Sequence, residues 1–251
     1  MTQVPLVELK NVGKKYGRVA ALEDVSLHIY PGEVVGLIGD NGAGKSTIVK
    51  IIMGYEAPSF GEVRFEGEQL MSDTPAAARA RGIEPVYQDL ALIGALSLWR
   101  NFFLGRELVR FKVGPLRILN RKEMRRICRA ALLELGLTRV RSVEQEAELL
   151  SGGERQSLAI TRAVHFGAKM LLLDEPTAAL SVRETEKVLN TVRGARDKNL
   201  AVVLIDHNMH HVEPVADRIL VIEHGRVVKV LARGEATVDD LKGFLSSRQR
   251  I

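Results

Sequence analysis

The sequence predicts an α/β fold: a mostly parallel sheet flanked by helices, with an N-terminal antiparallel β layer and a helical insertion. Three observations predict it. Val34–Ile38, residues 170–173 and Ala201–Ile205 are short apolar runs without polar alternation, the pattern of strands buried on both faces. Each run ends at chemistry-bearing residues: a glycine-rich turn, then Asp174-Glu175, then Asp206-His207. Helical patterns separate the runs, as parallel strands require.

In chain order, residues 6–10, 25–29 and 62–65 alternate like half-buried strands and form the antiparallel layer. Ile48, Val49, Ile51 and Ile52 give helical spacing that stops at Gly54. Thr74-Pro75 starts a short helix that Gly82 stops. Residues 89–164 read as mainly helical without a convincing buried strand, a helical subdomain inserted into a core made of residues 1–88 and 165–251. Residues 219–222 and 227–230 form a hairpin across His224-Gly225. No internal repeat is present, and 251 residues suit a single domain of this kind.

Composition narrows the class. Apolar residues make up 46% and charged residues 27%, with a mean hydropathy of +0.01, which excludes a disordered or fibrous chain. Cys128 is the sole cysteine, so an internal disulfide or a cysteine-built metal cage is excluded and a reducing compartment is expected. No apolar run approaches the roughly 18 residues of a membrane span, and the N-terminal MTQVPLVELK lacks a signal-peptide pattern. The chain is therefore expected to be neither secreted nor membrane-spanning. Its net charge of +5 is uneven: residues 104–129 hold nine basic residues against Glu107 and Glu123. That segment is either a solvated helix surface or a face for anionic lipid, nucleic acid or an acidic partner.

Residues 39–47, GDNGAGKST, fit G-x-x-x-x-G-K-[ST], with a strand before and a helix after. Glycines at 39, 42 and 44 let the backbone wrap so that its N–H groups, with those of Asn41, Ala43 and Thr47, face phosphate oxygens. Lys45 neutralises the β- and γ-phosphates and the Ser46 hydroxyl suits Mg²⁺. This is the phosphate loop of a P-loop NTPase core. Asp174 at the end of residues 170–173 is the matching metal carboxylate, and Glu175 beside it suits a general base, a role worth ~10²–10⁴-fold in rate.

A second anion device is written in LSGGERQ, residues 150–156. Ser151 and Glu154 form an S-x-x-E capping box, and Gly152 and Gly153 leave the helix end open to an anion. With this heptad the sequence resembles the ATP-binding cassette ATPases, the nucleotide-binding subunits of ABC transporters, over nearly the whole chain and in the expected motif order. The resemblance implies that residues 39–47 are the Walker A loop and residues 170–175 Walker B with its catalytic Glu175. It implies that Gln88 is a γ-phosphate and magnesium sensor, that His207 is the switch histidine and that Tyr16 stacks on adenine. Lys45, Gln88, Glu175 and His207 are then the catalytic set, and Ser46, Gln88 and Asp174 the Mg²⁺ set.

Two positions depart from the family pattern. Ser181 stands where aspartate usually closes the SALD loop, which puts cross-subunit communication in doubt. Asp206 stands where serine more often precedes the switch histidine, and a carboxylate there would favour a protonated His207 if the two approach. Residues 82–107 are similar to the permease-facing region of bacterial importers of monosaccharides such as ribose, xylose or fructose. Trp99, Phe102 and Phe103 in that stretch are either docking aromatics or interior packing.

The resemblance implies two chains meeting head-to-tail as a homodimer, each sandwiching ATP and Mg²⁺ between its own phosphate loop and the partner's LSGGERQ. It implies membrane permease subunits as partners, a periplasmic substrate-binding protein indirectly, and a peripheral place on the cytoplasmic face of the inner membrane. Nucleic acid is not expected. The competing readings are a soluble ABC ATPase acting on nucleic acid or ribosomes, supported only by the basic segment, and a small-molecule kinase, which would leave LSGGERQ unused.

Overall fold

Two antiparallel strands open the fold, β1 (Val7–Tyr16) and β2 (Val19–Ile29). Both run beyond the alternation at residues 6–10 and 25–29, because register shifts between Leu9 and Lys15 break the period of two. The buried strand β3 (Val34–Ile38) leads into α1 (Lys45–Ile52). Strands β4 (Phe60–Phe65) and β5 (Glu68–Gln69) complete an antiparallel sheet of order β2-β1-β4-β5. The structure, a computed structural model, describes residues 4–70, 74–86, 92–114, 116–135, 137, 142–235, 237 and 240.

Helix α2 (Pro75–Ala80) starts as expected at Thr74, whose side chain accepts the Ala77 N–H. Strand β6 (Ile83–Val86) follows it, and its Pro85 is tolerated because β6 lies at a sheet edge. Next come α3 (Leu98–Phe103), the hairpin β7 (Val109–Val113) and β8 (Leu116–Leu119), α4 (Arg121–Glu134) and α5 (Gly152–His165). The described part of this stretch is mainly helical and holds no buried strand, as expected; the short exposed hairpin is an addition to that reading. Its sequence signal is the alternation of Val109, Phe111 and Val113 with Arg110 and Lys112, which dense charge obscures.

The chain ends its described part with β9 (Met170–Asp174), α6 (Val182–Asp197), β10 (Ala201–Ile205), α7 (Met209–Val212), and the hairpin β11 (Arg218–Glu223) and β12 (Arg226–Ala232). The main sheet has the order β12-β11-β3-β10-β9-β6 and is parallel except at β12. Side chains of its central strands alternate between two cores. Ala201, Val203 and Ile205 face α1 and the antiparallel sheet, whereas Val202 and Leu204 face the cluster that holds α5, α6 and α7. Burial on both sides is why these strands read as unbroken apolar runs.

A third apolar cluster lies among α3, α4 and the start of α5. Trp99, Phe102 and Phe103 are buried in it, at 2%, 0% and 1% exposure. They pack inside the insertion and present no docking surface. Each fully buried Leu or Ile contributes roughly 1.5–3 kcal/mol. Surface ion pairs are worth ~0–1 kcal/mol each, so the clusters decide stability.

Candidate active site

Parallel pairing sets the site. β3 lies beside β10, and β10 beside β9, so the residues after these three strands emerge side by side at their carboxyl ends. After β3 comes the glycine-rich loop. Gly44 caps α1 at φ 110°, and a Cβ there would meet the Ala21 carbonyl at 2.8 Å, so only glycine fits. The loop is tied down from behind: the Gly225 N–H donates to the Ala43 carbonyl at 2.9 Å. Ala43 is buried, while Asn41, Gly42 and Ser46 are exposed and Thr47 is half-buried.

Lys45 is buried, and its Nζ donates to the carbonyls of Gly39 at 2.7 Å and Asp40 at 2.9 Å. Burial lowers its pKa, opposed by the charges of Glu175, Asp174 and Asp40. On β9, burial and the neighbouring Glu175 raise the Asp174 pKa, with Lys45 opposing. A desolvated ammonium near the partly buried Asp174 carboxylate, beside an exposed loop of backbone donors and the Ser46 hydroxyl, fits a magnesium-bound polyphosphate. Such metal sites use one or two protein oxygens and leave the rest to phosphate and water.

Glu175 has φ 49°, an uncommon conformation for a residue with a Cβ. Its N–H donates to the Ile205 carbonyl at 2.8 Å, and its Oε1 lies 3.3 Å from His207 Nδ1. The two side chains expected to act on water are thus in contact. Asp206 is turned elsewhere. It is buried and accepts from the Thr177 hydroxyl, from the Asn208 N–H at 2.8 Å and from His211 Nδ1 at 3.3 Å. Its Oδ1 is 3.9 Å from His207 Nδ1, beyond hydrogen-bond reach. Thr177 and His211 have no local signal in the sequence, because they lie 34 residues apart.

Ser151 caps α5 as expected: it accepts the Glu154 N–H at 3.4 Å while Glu154 accepts the Ser151 N–H at 3.1 Å. Lys187 donates to Glu154 at 3.0 Å and helps lower its pKa. The glycine pair has a further reason beyond leaving the helix end open. A Cβ on Gly153 would meet Glu184 Cβ and its carbonyl oxygen, each at 2.9 Å, so Gly153 lets α6 pack against α5. Gly152 is similarly crowded by Leu180. Ser181 begins α6, with its N–H and hydroxyl both donating to Glu184.

Among the described residues, residues 151–154 make no hydrogen bond or ion pair with residues 39–47 of the same chain. Tyr16 ends β1, 41% exposed, with Lys14 Nζ 5.1 Å from its ring centre. Gln88 lies outside the described residues.

The family model described as ABC transporter matches residues 22–178. The chain belongs to the ABC transporter ATP-binding family. Among ABC proteins, it is 45% identical to a fructose import ATP-binding protein of Rhizobium meliloti, covering 98% of this chain and 95% of that protein. It is also 45% identical to a xylose/arabinose import ATP-binding protein of Sulfolobus acidocaldarius, covering 96% and 94%. A ribose import ATP-binding protein of Burkholderia cenocepacia is 38% identical; the match covers 97% of this chain but 47% of that protein. A nucleotide-free ABC transporter cassette superposes with a TM-score of 0.79 at 25% identity, covering 98% and 96%. A dimeric cassette bound to ADP and phosphate has a TM-score of 0.70 at 28% identity, covering 90% and 98%.

Proposed function

We propose that this chain is the ATP-hydrolysing subunit that energises a membrane importer of a monosaccharide. The observation that carries the chemistry is the convergence of Lys45, Asp174, Glu175 and His207 at the ends of three adjacent parallel strands. The names of the two 45%-identical relatives support sugar import.

The triphosphate lies along residues 39–47, where backbone donors and Lys45 meet its charge. Tyr16 offers an exposed ring for the base, a contact worth ~1–3 kcal/mol. Ser46 and Asp174, with Gln88, would hold Mg²⁺, which supplies charge neutralisation on the phosphates when bound. Glu175 takes a proton from the attacking water as the water oxygen bonds to the γ-phosphorus and ADP leaves. His207 contacts the γ-phosphate and keeps Glu175 oriented. A second copy of the chain closes the pocket with Ser151, Gly152, Gly153 and Glu154, which its own phosphate loop does not touch. ATP favours the closed pair, and loss of the γ-phosphate favours opening.

In this reading the working form is a homodimer on permease subunits, at the cytoplasmic face of the membrane, served by a periplasmic binding protein. In the same reading the core of residues 1–88 and 165–251 carries the nucleotide chemistry, and the insertion of about 89–164 faces the permease. ATP turnover tests the assignment. Lys45→Ala should weaken nucleotide binding, and Glu175→Gln should keep binding and lose hydrolysis. Hydrolysis by Glu175→Gln at the unmodified rate would overturn it.

A further inference from the structure

The basic segment is not used by the ATP chemistry. Within it, Arg106 pairs with Glu84, Arg125 with Glu144 and Arg126 with Glu123. Arg110, Lys112, Arg117, Arg121, Lys122 and Arg129 have no carboxylate partner among the described residues. Three of them sit on β7–β8, whose strands, among the described residues, pair only with each other.

The register sorts this ribbon into two faces. Phe111 stands opposite Ile118, and Leu116 lies two residues before Ile118, so these three share a face; Lys112 stands opposite Arg117 on the other. The apolar face is open: Phe111 is 55%, Leu116 69% and Ile118 52% exposed. The base is anchored, with Leu108 and Leu119 packed against the third cluster and the Asn120 N–H donating to the Leu108 carbonyl at 2.7 Å. A lone two-stranded ribbon with an uncovered apolar face is marginal in water and needs a second layer.

We propose that the β7–β8 hairpin is a lipid-contacting element that seats on an anionic phospholipid surface. Phe111, Leu116 and Ile118 enter the interfacial zone, while Arg110, Lys112 and Arg117 reach phosphate headgroups along their flexible stems. A bilayer fits both properties at once. Nucleic acid would meet the cations but has no counterpart for exposed Leu116 and Ile118, and the single aromatic, Phe111, already lies under Arg110 at 5.1 Å. The inference rests on the importer reading for bringing the chain to a membrane.

The test is co-sedimentation of the full chain with phosphatidylcholine vesicles, with and without phosphatidylglycerol, alongside ATP turnover of the same preparations. Binding should require phosphatidylglycerol and weaken with salt. Lys112→Gln with Arg117→Gln should lower vesicle affinity about thirtyfold. Leu116→Ser with Ile118→Ser should also weaken binding, and both pairs should leave turnover unchanged in solution. The fluorescence of Leu116→Trp should shift to the blue on phosphatidylglycerol vesicles. Equal binding to neutral vesicles, indifference to the glutamine pair, or stronger retention by an oligonucleotide or an acidic polypeptide would overturn the inference. Vesicle binding by a chain without ATP turnover would instead count against the importer reading alone.

Discussion

The Thr177 hydroxyl donates to the buried Asp206 carboxylate, joining the turn after Glu175 to the loop that carries His207. His211 Nδ1 reaches the same hydroxyl at 2.8 Å, and Asn208 Nδ2 donates to His211 Nε2 at 3.0 Å, so the neutral imidazole carries its proton on Nδ1. The turn held in this way keeps Glu175 and Ala179 at positive φ and delivers Leu180 to Gly152.

Thr177→Val should therefore misplace Glu175 without touching the phosphate loop. Steady-state ATP hydrolysis should show kcat reduced by roughly ten- to a hundredfold, the cost of a small misalignment, with KM for ATP near its original value. Thr177→Ser should restore most of the rate. A loss confined to KM would show that the clamp acts on nucleotide binding instead.

Asp174 makes a stability prediction with a definite sign. Burial and Glu175 raise its pKa above the unfolded value. Its favourable contribution is complete below the unfolded pKa and lost as pH rises through the folded one, so at neutral pH the carboxylate costs stability. Asp174→Asn should raise the nucleotide-free Tm at neutral pH, by less as the pH falls into the acid range, and abolish turnover. A lower Tm at neutral pH would contradict this account of the site's electrostatics.

Gly153→Ala tests the packing of α5 on α6. The added methyl meets Glu184 main chain rather than a side-chain tip that could swing away. Denaturant unfolding should register a loss of about 1–3 kcal/mol, typical of overpacking. An unchanged midpoint would mean that the helices separate freely.

Burial pushes the Cys128 thiol up to about 12. At neutral pH the native chain should resist iodoacetamide, and labelling should follow unfolding in denaturant. Rapid native labelling would show that the third cluster opens easily.

The sequence made different parts of the molecule legible for different reasons. The central strands were readable because burial on both faces leaves uninterrupted apolar runs, as in Ala201–Ile205. Local motifs were readable because capping and phosphate binding are short-range: Ser151 with Glu154, and the glycine-rich loop with Lys45. The full lengths of β1 and β2 were hidden by bulges, and β6 by its brevity and Pro85. Asp206 was visible as a departure, but its partners Thr177 and His211 were not, since only the fold brings them together. Gly153 looked like an opening for an anion, and its contact with Glu184 depends on how α6 returns across the sheet.

The central claim is that one chain's phosphate loop works with another chain's LSGGERQ. Mixing two inactive variants, Lys45→Ala and Ser151→Arg, tests it most directly. A mixed pair holds one intact site, so the mixture should recover ATP turnover that neither variant has alone. A mixture no faster than the sum of its parts, with Ser151→Arg fully active by itself, would contradict the claim.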